Sequence, residues 1–306
     1  MTDIIGFDEF TDELKCAVSV RYPESDVEIR RVTKNNGVIY TGLTIRNEDE
    51  QIFPTMYLEG FYDEAPGGRL TDELTDKICE IYESRRLGKV KLPGALGDFD
   101  EARGNLRCKL INSAANEEYL KDVIHRDFLD LAIVPYYLFD QGDLDLKGSS
   151  DATFVIRPAN LEMWGVEGDE VLDESIRNTL KDDSISIRGM YELLSELNPS
   201  FASAAPEEFK ACPMYVMTSG SCNGAVAMLN EEKLREFCDH IDSDLYVIPS
   251  SINEVILVPR DDTATRSMFD EMICEINDTQ LDAVDVLSDH VYCYDRVGGY
   301  KALDSY

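Results

Sequence analysis

Hydrophobic positions between residues 213 and 294 change spacing in a repeated order. Met214–Met217 and Ala225–Leu229 are short apolar runs flanking SGSCNG, a connection of turn-forming residues, and the pattern predicts a β-hairpin. Asn230 then offers a side-chain acceptor to the first free amides of a helix, and Leu234, Phe237, Cys238 and Ile241 recur at helical spacing. The order repeats: Leu245–Ile248, a breaker at 249–253, a second run at 254–258, then a helix capped by Asp262 or Thr263 with Phe269, Met272, Ile273 and Ile276 on one face. His290–Tyr294 supplies a closing strand. Two tandem strand-strand-helix units are expected, and since a hairpin cannot bury its apolar face alone, the simplest packing is a mainly antiparallel sheet with the helices on one face. The predicted class is α+β.

The rest of the chain follows the same vocabulary. Phe7, Phe10, Leu14 and Ala17 or Val18 keep helical spacing until Pro23. Residues 27–34 and 38–45 flank Asn35, Asn36 and Gly37, where an Asn-Gly pair supports the positive φ angles of a tight hairpin. Residues 54–59 predict an edge strand, and Leu74, Ile78, Ile81 and Tyr82 a helix over 70–82. Residues 87–97 read as a loop and a boundary. Strands are predicted at 105–112 and 153–156 and a helical turn at 116–122; Pro135 makes the apolar run 128–139 a sheet edge or a bent strand. Polar GDLDLKGSSD reads as a hairpin-like loop. Asp169 is a candidate cap for a helix with Val171, Leu172, Ile176 and Leu180 buried, Met190–Leu197 is helical, and NPSFASAAPEE reads as an exposed linker. Three regions result: 1–90, helix, hairpin and helix; 98–198, a middle α+β region; and 213–306, the C-terminal α+β domain.

Composition narrows the function classes. Sixty-one acids against 29 bases give a formal charge of −32, which disfavours direct binding to nucleic acid or to an anionic membrane, because phosphate contact needs a cationic face. The acids are spread without a long block, so solubility is their plainest role; docking onto a basic protein, or mimicry of nucleic acid by ordered carboxylates, are the sharper ones. No run approaches the roughly 20 apolar residues of a membrane span, and the N-terminus lacks a secretory pattern, so the expected location is cytoplasmic. The eight cysteines are scattered, mostly within apolar runs, and no CxxC occurs.

Candidate chemistry is sparse. The three histidines, His125, His240 and His290, lack metal-site spacing; Cys238 and His240 would lie about 200° apart around a helix. No metal and no cofactor is expected, and no phosphate-binding GxxxxGK[ST] is present. A nucleophile needs a base beside it. Ser219, Ser221 and Cys222 share one turn, Ser250 and Ser251 another, and Asp289 precedes His290, so a triad from loops at one sheet edge is conceivable. Turn-capping serines and a packed cysteine are the stronger reading, without GxSxG or a comparable frame. Tyr292 and Tyr294 fall on one strand face, where packing is the leading role and a partner surface the alternative.

VTKNNGVIYTGLTIR, FLDLAIVPYYL, NLEMWGV, DSDLYVIPSSINEVILVP and LSDHVYCYDR together resemble the family catalogued as domain of unknown function 5688, over nearly the whole chain. The resemblance implies a bacterial, intracellular protein and carries no activity, cofactor or catalytic residue. The residues therefore favour a non-enzymatic cytosolic interaction or regulatory protein. The alternatives are a hydrolase-like enzyme using Cys222 or a neighbouring serine with His290, and an acidic nucleic-acid mimic.

Overall fold

The computed structural model describes residues 5–47, 53–86, 97–139, 153–181, 185–198, 213–220, 222–249, 251–260 and 266–301. It is an α+β fold in which every paired strand is antiparallel. The described residues form two compact units, one within 1–94 and 139–152 and the other within 95–138 and 153–306.

The first unit runs α1 (Phe7–Arg21), β1 (Asp26–Thr33), β2 (Ile39–Arg46), β3 (Thr55–Tyr57), α2 (Glu59–Glu64) and α3 (Asp72–Arg85). Asn36 at φ 58° and Gly37 at φ 70° turn the chain between β1 and β2, whose register runs from Asp26 opposite Arg46 to Thr33 opposite Ile39. β3 adds to β2 as the expected edge strand. Thr71 caps α3 by accepting from the Leu74 amide at 3.1 Å. Phe10, Leu14 and Val18 of α1 and Ile78 and Tyr82 of α3 close over Val27, Leu43, Ile45 and Met56 of the sheet. Each such buried side chain contributes about 1.5–3 kcal/mol. An exposed ion pair such as Arg21–Asp76 is screened by solvent and contributes little, so the apolar layer holds the unit.

The second unit contains α4 (Phe99–Ala102), β4 (Leu106–Asn112), α5 (Glu117–Leu120), β5 (Arg126–Phe128), β6 (Leu131–Leu138), β7 (Thr153–Val155), α6 (Pro158–Trp164), α7 (Gly168–Leu180), β8 (Ile185–Gly189), α8 (Met190–Leu197), β9 (Tyr215–Ser219), α9 (Glu231–Ile241), β10 (Leu245–Ile248), β11 (Val255–Pro259), α10 (Arg266–Thr279), β12 (Tyr292–Asp295) and β13 (Gly299–Tyr300). One sheet has the order β4-β6-β5 with β7 also on β6; the other has the order β13-β12-β10-β11-β9-β8.

Pro135 lies in the inner strand β6, opposite Cys108, rather than at a sheet edge. Its missing N–H is tolerated because β6 changes neighbours there: β5 pairs with residues 131–133 and β7 with 136–138. At the outer edge, the Cys108 amide donates to the Thr179 hydroxyl of α7 at 2.9 Å, so the helix satisfies the edge strand.

Two details of the six-stranded sheet correct the sequence pattern. Ala225–Leu229 is not a strand but part of a 3-10 helix, Gly224–Leu229. Both edges of β9 are already taken, by β11 and β8, so the run has no strand to join. Gly220 and Asn223, at φ 68° and 55°, curl the chain instead, and a short apolar run does not itself distinguish the two outcomes. The helices also do not share one face. Leu234 and Cys238 of α9 pack with Leu245, Val247, Leu257, Tyr292 and Tyr294. Phe269 and Ile273 of α10 pack with Tyr246, Ile248, Val258 and Cys293 on the opposite face. All four residues of β10 are buried, so both faces require cover.

β8 is the element the periodicity did not announce as a strand. Its pairing with β9, and a single core in which Cys108, Leu110, Leu131 and Ile133 meet Met217, Val247 and Leu257, join the region 98–198 to the region from 213 onward. Residues 87–96 of the loop predicted at 87–97, the loop at 142–151, residues 199–208 of the linker predicted at 198–208, and the caps Asp262 and Thr263 lie outside the described residues. Among the described residues no helix is long and apolar enough to cross a membrane.

Candidate interaction site

The residues singled out for chemistry map to one end of the six-stranded sheet but do not assemble. Ser219 ends β9 opposite Ile185 and is 8% exposed. Cys222 is exposed in the following turn. Ser221 lies outside the described residues. Asp289 and His290 are exposed ahead of β12. β10 and β11 stand between β12 and β9, so three strand spacings, about 14 Å, separate the two strands that carry the imagined nucleophile and base. The local bonds are those of turns. Asn277 Nδ2 donates to Asp289 at 2.7 Å, the His290 amide to Ser288 Oγ at 3.0 Å, and the Asn253 amide to Ser251 Oγ at 3.1 Å. The turn is clasped to the β10–β11 connection by Thr218 Oγ1 donating to the Asn253 carbonyl at 2.7 Å and the Asn223 amide to Asn253 Oδ1 at 3.1 Å. Among the described residues no group of three His, Cys, Asp or Glu side chains is arranged to hold a metal.

Tyr292 and Tyr294 share a face, as alternation requires, but they are 1% and 0% exposed and present no surface to a partner. Both faces of the sheet are covered, which places them in the core. Their hydroxyls and that of Tyr300 tie the C-terminal strands down: Tyr294 donates to the Glu231 carbonyl at 3.0 Å and Tyr300 to the Met228 carbonyl at 2.9 Å. Tyr292 and Ser288 both donate to the Asp130 carboxylate, each at 2.6 Å. Burial first, then the Asp130 charge, pushes the Tyr292 hydroxyl well above its ordinary range, so it stays a donor. Asp130 follows Leu129, which sits at φ 58° in the turn between β5 and β6. That left-handed geometry costs an ordinary residue about 1–2 kcal/mol. Sequence reasoning did not find Asp130 or Ser288, because partners 158 positions apart leave no local signal.

A concave feature of this unit lies at the β8 end of the strand order, where Ile185 pairs with Ser219. A shallow groove of about 270 Å³ is lined by Ile185 and Ile187 of β8 and by Lys233, Glu236 and Phe237 of α9. Asn230 starts α9 by accepting from the Lys233 amide at 3.0 Å, and burial of Leu234 and Cys238 turns Lys233, Glu236 and Phe237 toward the rim. Phe237 is held edge-on against Tyr215, ring centroids 4.8 Å apart. On the opposite face Arg188 contacts Glu192 at 3.3 Å and Glu196 at 2.6 Å, leaving that small cluster net acidic. One sequence signal was available: apolar Ile185 and Ile187 alternate with polar Ser186 and Arg188.

The architecture defines an α+β protein with two antiparallel sheets in its larger unit and no assembled reactive centre among the described residues. Within that class the chain belongs to the family of unknown function DUF5688, whose model matches residues 7–296. No curated protein matches the chain. No solved structure matches it either.

Proposed function

We propose that this is a non-enzymatic, cytosolic interaction or regulatory protein that engages a basic partner. The observation that carries the reading is how the bases are used. Arg103 meets Glu174 at 2.9 Å, Arg126 meets Asp173 and Asp169 at 2.9 and 3.0 Å, and Arg296 meets Asp242 at 2.7 Å. These cations are held in intramolecular pairs, and the chain carries 61 acids against 29 bases, so the field reaching a partner is negative. Such a field speeds encounter with a basic protein and disfavours another polyanion.

The test is cross-linking of the purified protein to its cellular partners at low and high salt, with identification by mass spectrometry. A discrete basic protein retained at low salt and released by about a Debye-length reduction to 3 Å, near 1 M salt, is the expected result. Turnover of an ester or thioester by the pure protein, abolished by Cys222→Ala or His290→Ala, would overturn the reading in favour of a hydrolase.

A further inference from the structure

The Met190 amide donates to the Met214 carbonyl at 2.9 Å, and the register sets Gly189 opposite Tyr215. In an antiparallel ladder residues alternate between bonding the partner and facing away. Ser186 and Arg188 therefore bond β9, while the N–H and C=O groups of Ile185 and Ile187 and the N–H of Gly189 point outward; the Gly189 carbonyl opens α8 instead. β8 ends the strand order, so among the described residues no strand meets that row.

Open edges are ordinarily blunted by proline, lysine, a bulge, shortness or a covering element. In this unit β4 is capped through Thr179, and β13 has two residues. β8 has five, ISIRG, with neither proline nor lysine, and its one charge, Arg188, is held by Glu192 and Glu196. The same edge borders the groove. Ile185 and Ile187 point their side chains into the space beneath Phe237, so the outward backbone and the apolar trough are presented together.

We propose that the outer edge of β8 takes an extended segment of the basic partner as an added strand. Residues at alternate positions of that segment would be apolar and fill the groove; those between would be lysine or arginine and face the acidic Glu192 and Glu196 side. Main-chain bonds to Ile185, Ile187 and Gly189 supply affinity, and the groove supplies the preference for apolar side chains at every second position. Lys233 and Glu236 offset one another within the groove, and a basic segment is the occupant because the Arg188–Glu192–Glu196 cluster on the other face of β8 is net acidic and the chain carries −32 overall. The proposal rests on the reading of the protein as a receptor for a basic partner.

The experiment uses the full-length protein and a fluorescein-labelled ten-residue peptide alternating valine and lysine, with a valine–glutamate peptide as control, followed by anisotropy. The Val–Lys peptide should bind with a micromolar dissociation constant and the Val–Glu peptide at least tenfold more weakly. Ile187→Pro removes an outward N–H while leaving the ladder to β9 intact, and should weaken binding at least tenfold; Ile187→Val should stay within twofold. Hydrogen–deuterium exchange of the wild-type protein, which does not depend on any variant folding, should slow at residues 185–189 when the peptide is added. Equal binding by Ile187→Pro together with unchanged exchange at 185–189 would overturn strand addition while leaving a basic partner in place. Failure of the Val–Lys peptide to bind even at low salt, with no basic protein cross-linked, would remove the functional reading as well. A dimer in sedimentation velocity that Ile187→Pro dissociates would assign the edge to a second copy and overturn the peptide proposal.

Discussion

Removing Asp130 should leave two buried hydroxyl donors of the second unit without their acceptor. Its carboxylate accepts from Tyr292, 1% exposed, and from Ser288, fully buried. Tyr292→Phe deletes one hydrogen bond to a charged acceptor, about 1.5–3 kcal/mol, and the half-buried carboxylate retains Ser288 and access to water, so the low end is expected. Asp130→Ala instead orphans two buried hydroxyls at about 1–3 kcal/mol each, giving about 2–6 kcal/mol. In the Asp130→Ala background the Tyr292 hydroxyl is already unsatisfied, so adding Tyr292→Phe should cost nothing or restore some stability. The coupling in the double-mutant cycle is then about 1.5–3 kcal/mol, within the range for residues in one hydrogen-bond network. Urea unfolding followed by fluorescence of Trp164, the single tryptophan and a residue of this unit, reads it directly. With m of about 1–3 kcal/mol/M, such a coupling moves midpoints by roughly 1 M. If Tyr292→Phe costs as much without Asp130 as with it, the two groups do not share a bond and the reasoning fails.

Other outcomes follow from single contacts. A Cβ at Gly224 would strike Thr218 Oγ1 and the Asn253 carbonyl and lie 2.9 Å from the Ser219 nitrogen, so Gly224→Ala should cost about 2–3 kcal/mol in calorimetry, and an unchanged melting temperature would refute the close packing of that turn. Burial pushes the Cys108 thiol up to about 12 and the Cys238 thiol up to about 11, so both should resist a thiol reagent at pH 8 until the protein unfolds, whereas exposed Cys16 and Cys222 react in the native state. Cys274, exposed but raised by local desolvation and then by Asp289, Asp278 and Asp270, should react more slowly than those two. Burial raises the Glu174 carboxyl, but the hydrogen bonds and charges of Arg103 and Arg177 outweigh it and hold the group below its ordinary value. Its stabilisation is therefore full above the unfolded carboxylate range, near pH 4.3, and is lost as pH falls through the lower folded value. The melting-temperature gap between wild type and Glu174→Gln should be present at pH 7 and absent at pH 2; a gap that grows on acidification would refute the pairing.

Much of the fold is visible in local pattern. The Asn36-Gly37 turn, the edge strand at Thr55–Tyr57, the helix stripes of Phe10, Leu14 and Val18 and of Leu234 and Cys238, and the Asn230 cap each depend on neighbours a few residues away. The candidate site was far less visible. Ser219 and Cys222 with His290 looked close because each pair borders a turn, but strand order sets their separation, and that order is a long-range choice. Met272 was expected on the buried stripe of its helix and is 39% exposed. The Ile185–Ile187 alternation was short enough to pass unnoticed between a helix and a loop.

The amino-acid sequence by itself determined the element vocabulary, the acidic field and the family, because turn chemistry, periodicity and charge are properties of short windows or of sums over the chain. Tertiary structure alone decided that Ala225–Leu229 coils rather than extends, that α9 and α10 cover opposite faces, that Asp130 receives Tyr292 and Ser288, and that β8 ends the sheet among the described residues. The physical reason is competition for neighbours. A strand has two edges and a sheet two faces, and which segment fills each is settled by segments far away in the chain, whose claims no local pattern records.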